Sequence, residues 1–214
     1  MPRLRQVPRA EASASVAMVY DMLFGEGVCP VETPGTVTGT PGDWWTVFAL
    51  VPAVFEHACQ GILLYRSPER VLDPVLRELA QTRTGWTRQS RFVYSQHCKS
   101  CRTVGIPEEK IAAIPHWSAA DCFTPAERAV LAYTDALTLE DGRVSDGVFA
   151  ALREHLSDEE ILELTYITAL YEAHAIMSKA LRVEFDADPD PIVEVPAPGD
   201  YQGFLVGPED RPPA

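Results

Sequence analysis

Apolar residues recur at helical spacing along most of this chain, and strand-like alternation persists nowhere. Val16, Val19, Tyr20 and Leu23 fall on one side of a segment running roughly from Ala10 to Phe24. Trp45 to Tyr65 is apolar and helix-compatible, with a break near Pro52, which suits a first-turn position because its missing N–H costs nothing there. Ser67-Pro68-Glu69 has the form of a cap followed by proline, and Val71, Val75, Leu76 and Leu79 then make an apolar stripe that Gly85 should end. Arg91 to Val104 predicts the next helix, closed by Gly105. Ile106 to Ile111 opens a short helix. Thr124-Pro125-Ala126-Glu127 is a capping box whose helix reaches about Thr138. Two more helices follow, Ser145 to Leu156 and Ser157 to Leu181, the second again opened by a capping box. The pattern predicts an all-helical fold of about seven or eight helices.

Between these segments, residues 25–43 are rich in glycine, proline and threonine and predict a long loop. Such a loop in a compact domain usually covers something or wraps a neighbouring subunit. Trp44 and Trp45 end it, either anchoring it to the core or placing one indole at the mouth of a pocket. Residues 186–198 and 207–214 are polar, acidic or proline-rich and suggest a tail. The expected organisation is an N-terminal helix and loop arm (1–43), a helical domain (44–185) and a C-terminal tail (186–214). A chain of 214 residues is long enough for one well-buried core.

The formal net charge of -13 argues against nucleic acid and anionic membrane surfaces as partners. No apolar run approaches the roughly 18 residues of a spanning helix. Met1-Pro-Arg-Leu-Arg5 is not followed by an apolar stretch, which speaks against secretion. Five cysteines, an odd number, do not suggest a disulfide framework, so a reducing cytoplasmic setting is expected.

The chemistry concentrates between Glu78 and Gly105. His97 has the side chain best suited to shuttle protons near neutral pH. Positions 93, 94, 97, 101 and 104 share a helical face, which would gather Tyr94, His97 and Cys101. Glu78, from the preceding helix, could orient the imidazole; the alternative is a packed histidine bonded to a carbonyl. Cys98 and Cys101 are packing residues, a metal fragment or a redox pair. Their place in the middle and end of a helix deprives them of the N-terminal dipole that activates thiols. Arg83, Arg91 and Arg102 could each supply positive charge to an anionic substrate, or simply pair at the surface. Tyr171, His174 and Ser178 share one face of the last long helix, where His174 either packs in the core or reaches a pocket. His57 and Cys59 are too few for a zinc site, and His97, Cys98 and Cys101 would need to ligate from two sides of one helix, so no metal is expected.

In Leu76-Arg77-Glu78-Leu79, Tyr94-Ser95-Gln96-His97, Gly105 to Ile111, Phe123 to Ala129 and Leu164 to Tyr171, in that order and spacing, the chain resembles the carboxymuconolactone decarboxylase and alkylhydroperoxidase D-like superfamily from about Pro52 to Val183. The resemblance implies a helical bundle that assembles into trimers or hexamers with sites near subunit contacts, acting on a small molecule without a bound cofactor. In the peroxidase branch, Glu78 and His97 match the glutamate and histidine, but the two cysteine positions fall on Ser90 and Val93. Cys98 and Cys101 are a displaced pair and inherit nothing by position. In the decarboxylase branch, His97 matches the acid-base histidine, while the acidic residue usual a few positions earlier is replaced by Val93 and Tyr94. The expected function is therefore cofactor-independent acid-base chemistry on a small organic acid, lactone or ketone. His97 would be the shuttle, Glu78 its orienter, and Tyr94, Cys98 and Cys101 further candidates. Trp45, Arg83, Arg91, Tyr171 and His174 are candidates for substrate binding. The alternatives are a thiol-dependent peroxidase using Cys98 and Cys101, and a helical oligomer that binds a ligand without chemistry.

Overall fold

A computed structural model describes residues 1–64, 67–188, 192–196 and 198. Among them are nine α-helices and no strand: α1 (Ala14–Phe24), α2 (Asp43–Phe48), α3 (Pro52–Leu63), α4 (Pro74–Thr87), α5 (Arg91–Thr103), α6 (Glu108–Ala113), α7 (Pro125–Leu139), α8 (Asp146–Arg153) and α9 (Asp158–Leu181). Local chemistry sets most of their ends. Ser13, Ser90 and Ser145 cap α1, α5 and α8, each accepting a backbone N–H three residues on. The boxes at Thr124–Glu127 and Ser157–Glu160 are both fully formed.

Two boundaries differ from the sequence expectation. The fourth helix starts at Pro74, not at Ser67-Pro68, because the Asp73 carboxylate accepts the N–H groups of Val75 and Leu76 and is the stronger start signal. The segment before it is a turn, held where Glu163 of α9 accepts from Val71 and Leu72. Gly85 does not end that helix but lies inside it. A Cβ there would sit 2.4 Å from the backbone nitrogen of Tyr94. The glycine is a point of close approach, and it brings the axes of α4 and α5 together.

This α4–α5 hairpin is the centre of the molecule, flanked by α7 and α9. One core cluster joins Leu79, Cys98, Cys101, Val104, Ile114 and Leu131 between α4, α5 and α7. A second gathers Val16, Tyr20, Trp44, Val47 and Phe55 under the N-terminal helices. A third lies between α7, α8 and the start of α9, around Val130, Leu152 and Leu164. A smaller one, Val93, Ile167, Tyr171 and Ala175, sits where α5 meets α9. Past α9, a 3₁₀ turn (Glu184–Ala187) folds back on the bundle, where Ser90 donates to Asp186 at 2.5 Å. Part of the expected tail also returns: Val195 N–H donates to Ser95 Oγ at 2.9 Å, and Glu194 pairs with Arg102. Of the remainder, residues 189–191, 197 and 199–214 lie outside the described residues.

None of the described helices is long and apolar enough to cross a membrane.

Candidate active site

Glu78 on α4 and His97 on α5 meet inside the hairpin. The imidazole Nδ1 lies 2.8 Å from Glu78 Oε2, and neither side chain has any exposed surface. The other carboxylate oxygen, Oε1, accepts from Arg77 Nε at 3.0 Å, and Arg77 is also fully buried. One carboxylate thus serves a guanidinium and an imidazole, all three side chains fully buried. Two bonds of that kind fix its plane and, through it, the ring of His97. The Tyr171 ring meets the imidazole edge-on, with centroids 4.4 Å apart.

His97 is part of the wall of a small cavity of about 40 Å³. That is room for a few water-sized groups. Its wall is partly aromatic, with Trp44, Trp45, Phe92, Tyr171 and His174, and partly polar, with Thr38, Thr40 and Gln96. His174 is held neutral: burial, and then the nearby His97, push it down to about 4. It can accept a proton only in acid, so within the cavity it acts as a hydrogen-bonding group rather than a charge.

The roof of the cavity is the loop that precedes α2. Thr36, Thr38 and Thr40 are buried in it, and the Thr36 hydroxyl lies 2.8 Å from that of Thr38 and 3.0 Å from that of Thr40. Gln96 Nε2 donates to Thr38 Oγ1 at 3.2 Å, and Lys99 Nζ donates to the Thr38 carbonyl at 3.2 Å. At its other end the loop is tied to Glu184, whose carboxylate accepts the N–H groups of Gly42 and Trp44 at 3.0 Å each. Burial pushes the Glu184 carboxyl up to about 7.

Of the residues expected at the site, Glu78, His97, Trp45, Tyr171 and His174 come together at this cavity or directly behind it. The others do not. Tyr94 turns to the opposite side, against Trp86, in the core cluster that holds Cys98 and Cys101. Both thiols are buried, and neither forms a disulfide. Burial pushes Cys98 up to about 12 and Cys101 well above the ordinary thiol range, so neither is a ready thiolate. Thr82 Oγ1 sits 3.2 Å from Cys101 Sγ. Arg83 is bidentate to Asp135, at 2.6 and 3.0 Å, and also donates to the carbonyls of Ile114 and Pro115. It is a clamp between α4, α7 and the turn after α6. Arg91 lies 3.5 Å from Asp188 and Arg102 pairs with Glu108 and Glu194, both away from the cavity wall.

Sequence reasoning missed Arg77, Gln96, Lys99 and the roof threonines. The available signal for the last was Thr36-Val37-Thr38-Gly39-Thr40, an alternation unusual in a glycine-rich loop. Among the described residues, no group of three or more His, Cys, Asp or Glu side chains converges as a metal ion would require.

Residues 49–136 match the Carboxymuconolactone decarboxylase family. The protein YdfG of Bacillus subtilis is 26% identical over 119 residues, 53% of this chain and 81% of YdfG. YnjA of Escherichia coli is 22% identical over 149 residues, 67% of this chain and 78% of YnjA. Both are uncharacterized. Among solved structures, an alkylhydroperoxidase AhpD core protein of Ralstonia eutropha, described as peroxidase-related, superposes with a TM-score of 0.63 at 20% identity, covering 85% of this chain and 90% of its own. A putative antioxidant defence protein AhpD from Agrobacterium tumefaciens gives 0.59 at 24% identity, covering 69% and 96%. The debrominase Bmp8 gives 0.62 at 14% identity, covering 83% and 88%. The all-helical fold matches that of these neighbours, and the similarity to the carboxymuconolactone decarboxylase family covers the α3–α7 part of the chain.

Proposed function

We propose that this protein is an enzyme in which His97, oriented by Glu78, moves a proton to or from a small substrate in the adjoining cavity. The observation that carries this reading is the 2.8 Å bond between two fully buried groups beside that cavity. Glu78 occupies Nδ1, so proton chemistry toward the cavity runs through Nε2. This is the usual division of labour for a catalytic histidine. The expected substrates are a small organic acid, lactone or ketone.

A second reading is thiol-dependent peroxide chemistry through Cys98 and Cys101. The names of the solved neighbours, AhpD-like and peroxidase-related, favour it over decarboxylation. The local chemistry weighs against these particular thiols, since both are buried in the core cluster and hard to ionise. The experiment compares wild type with His97→Gln and with the double variant Cys98→Ser/Cys101→Ser, using carboxymuconolactone and an alkyl hydroperoxide with a dithiol reductant as probes. We expect the double variant to keep near wild-type turnover. Loss of hydroperoxide turnover in a double variant that keeps its helical circular dichroism would establish the thiol reading instead.

The same reading includes a homo-oligomer, a trimer or dimer of trimers, in the cytoplasm. Helix α9 carries apolar residues all round, yet Leu162, Tyr166 and Ile176 are exposed on the single chain. Together with Val54, Leu170 and Met177, the first two of these line an apolar groove of about 830 Å³ between α3 and α9. A second copy of the chain would cover it. Light scattering coupled to size exclusion should give a multiple of 23.6 kDa at micromolar protein. A strictly monomeric mass would refute the assembly.

A further inference from the structure

We propose that the Gln96 and Trp44 side-chain N–H groups cradle a substrate oxygen that carries or gains negative charge, with Lys99 as the residue that positions Gln96. The inference rests on the proton-transfer reading above and adds to it the part of the substrate that is held.

Trp44 is 2% exposed, and its Nε1 is buried with no hydrogen-bond partner among the described residues. A buried indole N–H almost always finds an acceptor, because leaving it unmade costs the full desolvation of the group. The same indole is part of the wall of the His97 cavity, so the missing acceptor has a place to sit. The ring itself is fixed, stacked on Phe48 at 3.9 Å and edge-on to Trp45 at 4.9 Å. Its N–H cannot simply swing to another partner.

Gln96 lines the same cavity and is 5% exposed. Its amide orientation follows from chemistry. Lys99 Nζ, a donor with no acceptor capacity, lies 3.0 Å from Oε1. The carbonyl end therefore faces the ammonium, and Nε2 faces the roof, where one of its two N–H groups goes to Thr38 Oγ1. The second N–H remains for the cavity. An ammonium on Oε1 also polarises the amide and strengthens Nε2 as a donor. Beside a proton-moving imidazole, such donors suit a carboxylate, enolate or hydroperoxide oxygen and disfavour an apolar occupant. They also supply what Arg83, Arg91 and Arg102 do not, since those arginines are engaged away from the cavity wall.

The test is binding of formate and acetate to the full chain by titration calorimetry. We expect saturable binding by the wild type, weakened about tenfold or more in Gln96→Leu and in Trp44→Phe, the usual worth of a hydrogen bond to a charged group. Circular dichroism and thermal melting confirm that each variant is folded; Gln96→Leu, which removes no ring from the core, decides the matter if Trp44→Phe does not fold. Lys99→Met should weaken binding as well. Wild-type affinity should fall as pH rises through about 8, where burial places the Lys99 ammonium, and Lys99→Met should lose most of that fall. Among the described residues, the charged and titratable groups facing Lys99 include Glu184, Glu194, Cys98 and Arg102. Of these, Glu184 has its transition near 7, close to that of Lys99, so the part of the fall that Lys99→Met abolishes is the part that reads Lys99. No saturable binding by the wild type, or unchanged affinity in Gln96→Leu, overturns the cradle whatever His97→Gln does to turnover. Full turnover of His97→Gln together with weakened formate binding in Gln96→Leu would overturn the proton relay and leave the cradle standing.

Discussion

Replacing His97 by Gln is expected to lower turnover by about 10²-fold or more, the usual worth of a positioned acid-base group. Gln is the informative replacement. Its amide fills much of the imidazole volume and can keep a hydrogen bond to Glu78, so the wall of the cavity is retained. It cannot take up and release a proton. His97→Ala should lose at least as much, but it also opens space beside Tyr171, whose ring packs edge-on against the imidazole, and so mixes packing with chemistry. Thermal melting separates the two: His97→Gln should stay close to wild type while its turnover falls. Near-full turnover of a folded His97→Gln protein would remove the imidazole from the mechanism. His174, the other histidine of the cavity, is no substitute at neutral pH, because burial holds it neutral with a transition near 4.

That pair was legible in the sequence because each half of it is local. Glu78 and His97 lie on successive helices, and the turn between them, from Arg88 to Ser90, is marked by a serine cap. What the sequence misassigned is which side of α5 each residue takes. Tyr94 and His97 are three positions apart, about 60° around a helix, close enough to count as one face by spacing. In the folded chain that arc is divided between two neighbours. His97 turns to α9 and Tyr171, whereas Tyr94 turns with Cys98 and Cys101 to the core under α6 and α7. Only the packing of α9 decides this, and α9 arrives from far along the chain. Gly85 failed as a stop signal for a related reason. Its missing side chain answers a close approach of α5, not a change of backbone direction. The roof threonines were hidden because their short alternation lies in a loop rich in glycine and proline, and their burial depends on Gln96, Lys99 and Glu184, each distant in sequence. Arg77 was hidden in plain view. A basic residue beside an acidic one in a helix is ordinary at a surface, and nothing local says that both are buried.

That burial sets the largest expected effect on stability. Glu78→Ala should destabilise the fold by about 3–5 kcal/mol, the range for removing one partner of a buried ion pair. The carboxylate is shared, with Oε1 accepting from Arg77 and Oε2 facing His97, so its loss takes a counter-charge from a guanidinium with no exposed surface and a hydrogen bond from the imidazole together. Most of the cost comes from Arg77. A histidine can become neutral, but an arginine stays charged at any pH the protein survives. The origin of the loss is therefore testable by a double-mutant cycle. Arg77→Met on the wild-type background should also destabilise, since it strands the carboxylate. Arg77→Met combined with Glu78→Ala should cost markedly less than the two single losses added, because both charges of the contact are then removed together. Urea unfolding followed by circular dichroism measures all four proteins. Additive losses would mean that the Arg77–Glu78 contact contributes no coupling. Turnover adds the other half of the argument. The double variant should recover stability without recovering activity, since Nδ1 of His97 remains without the oxygen that fixes which nitrogen faces the cavity.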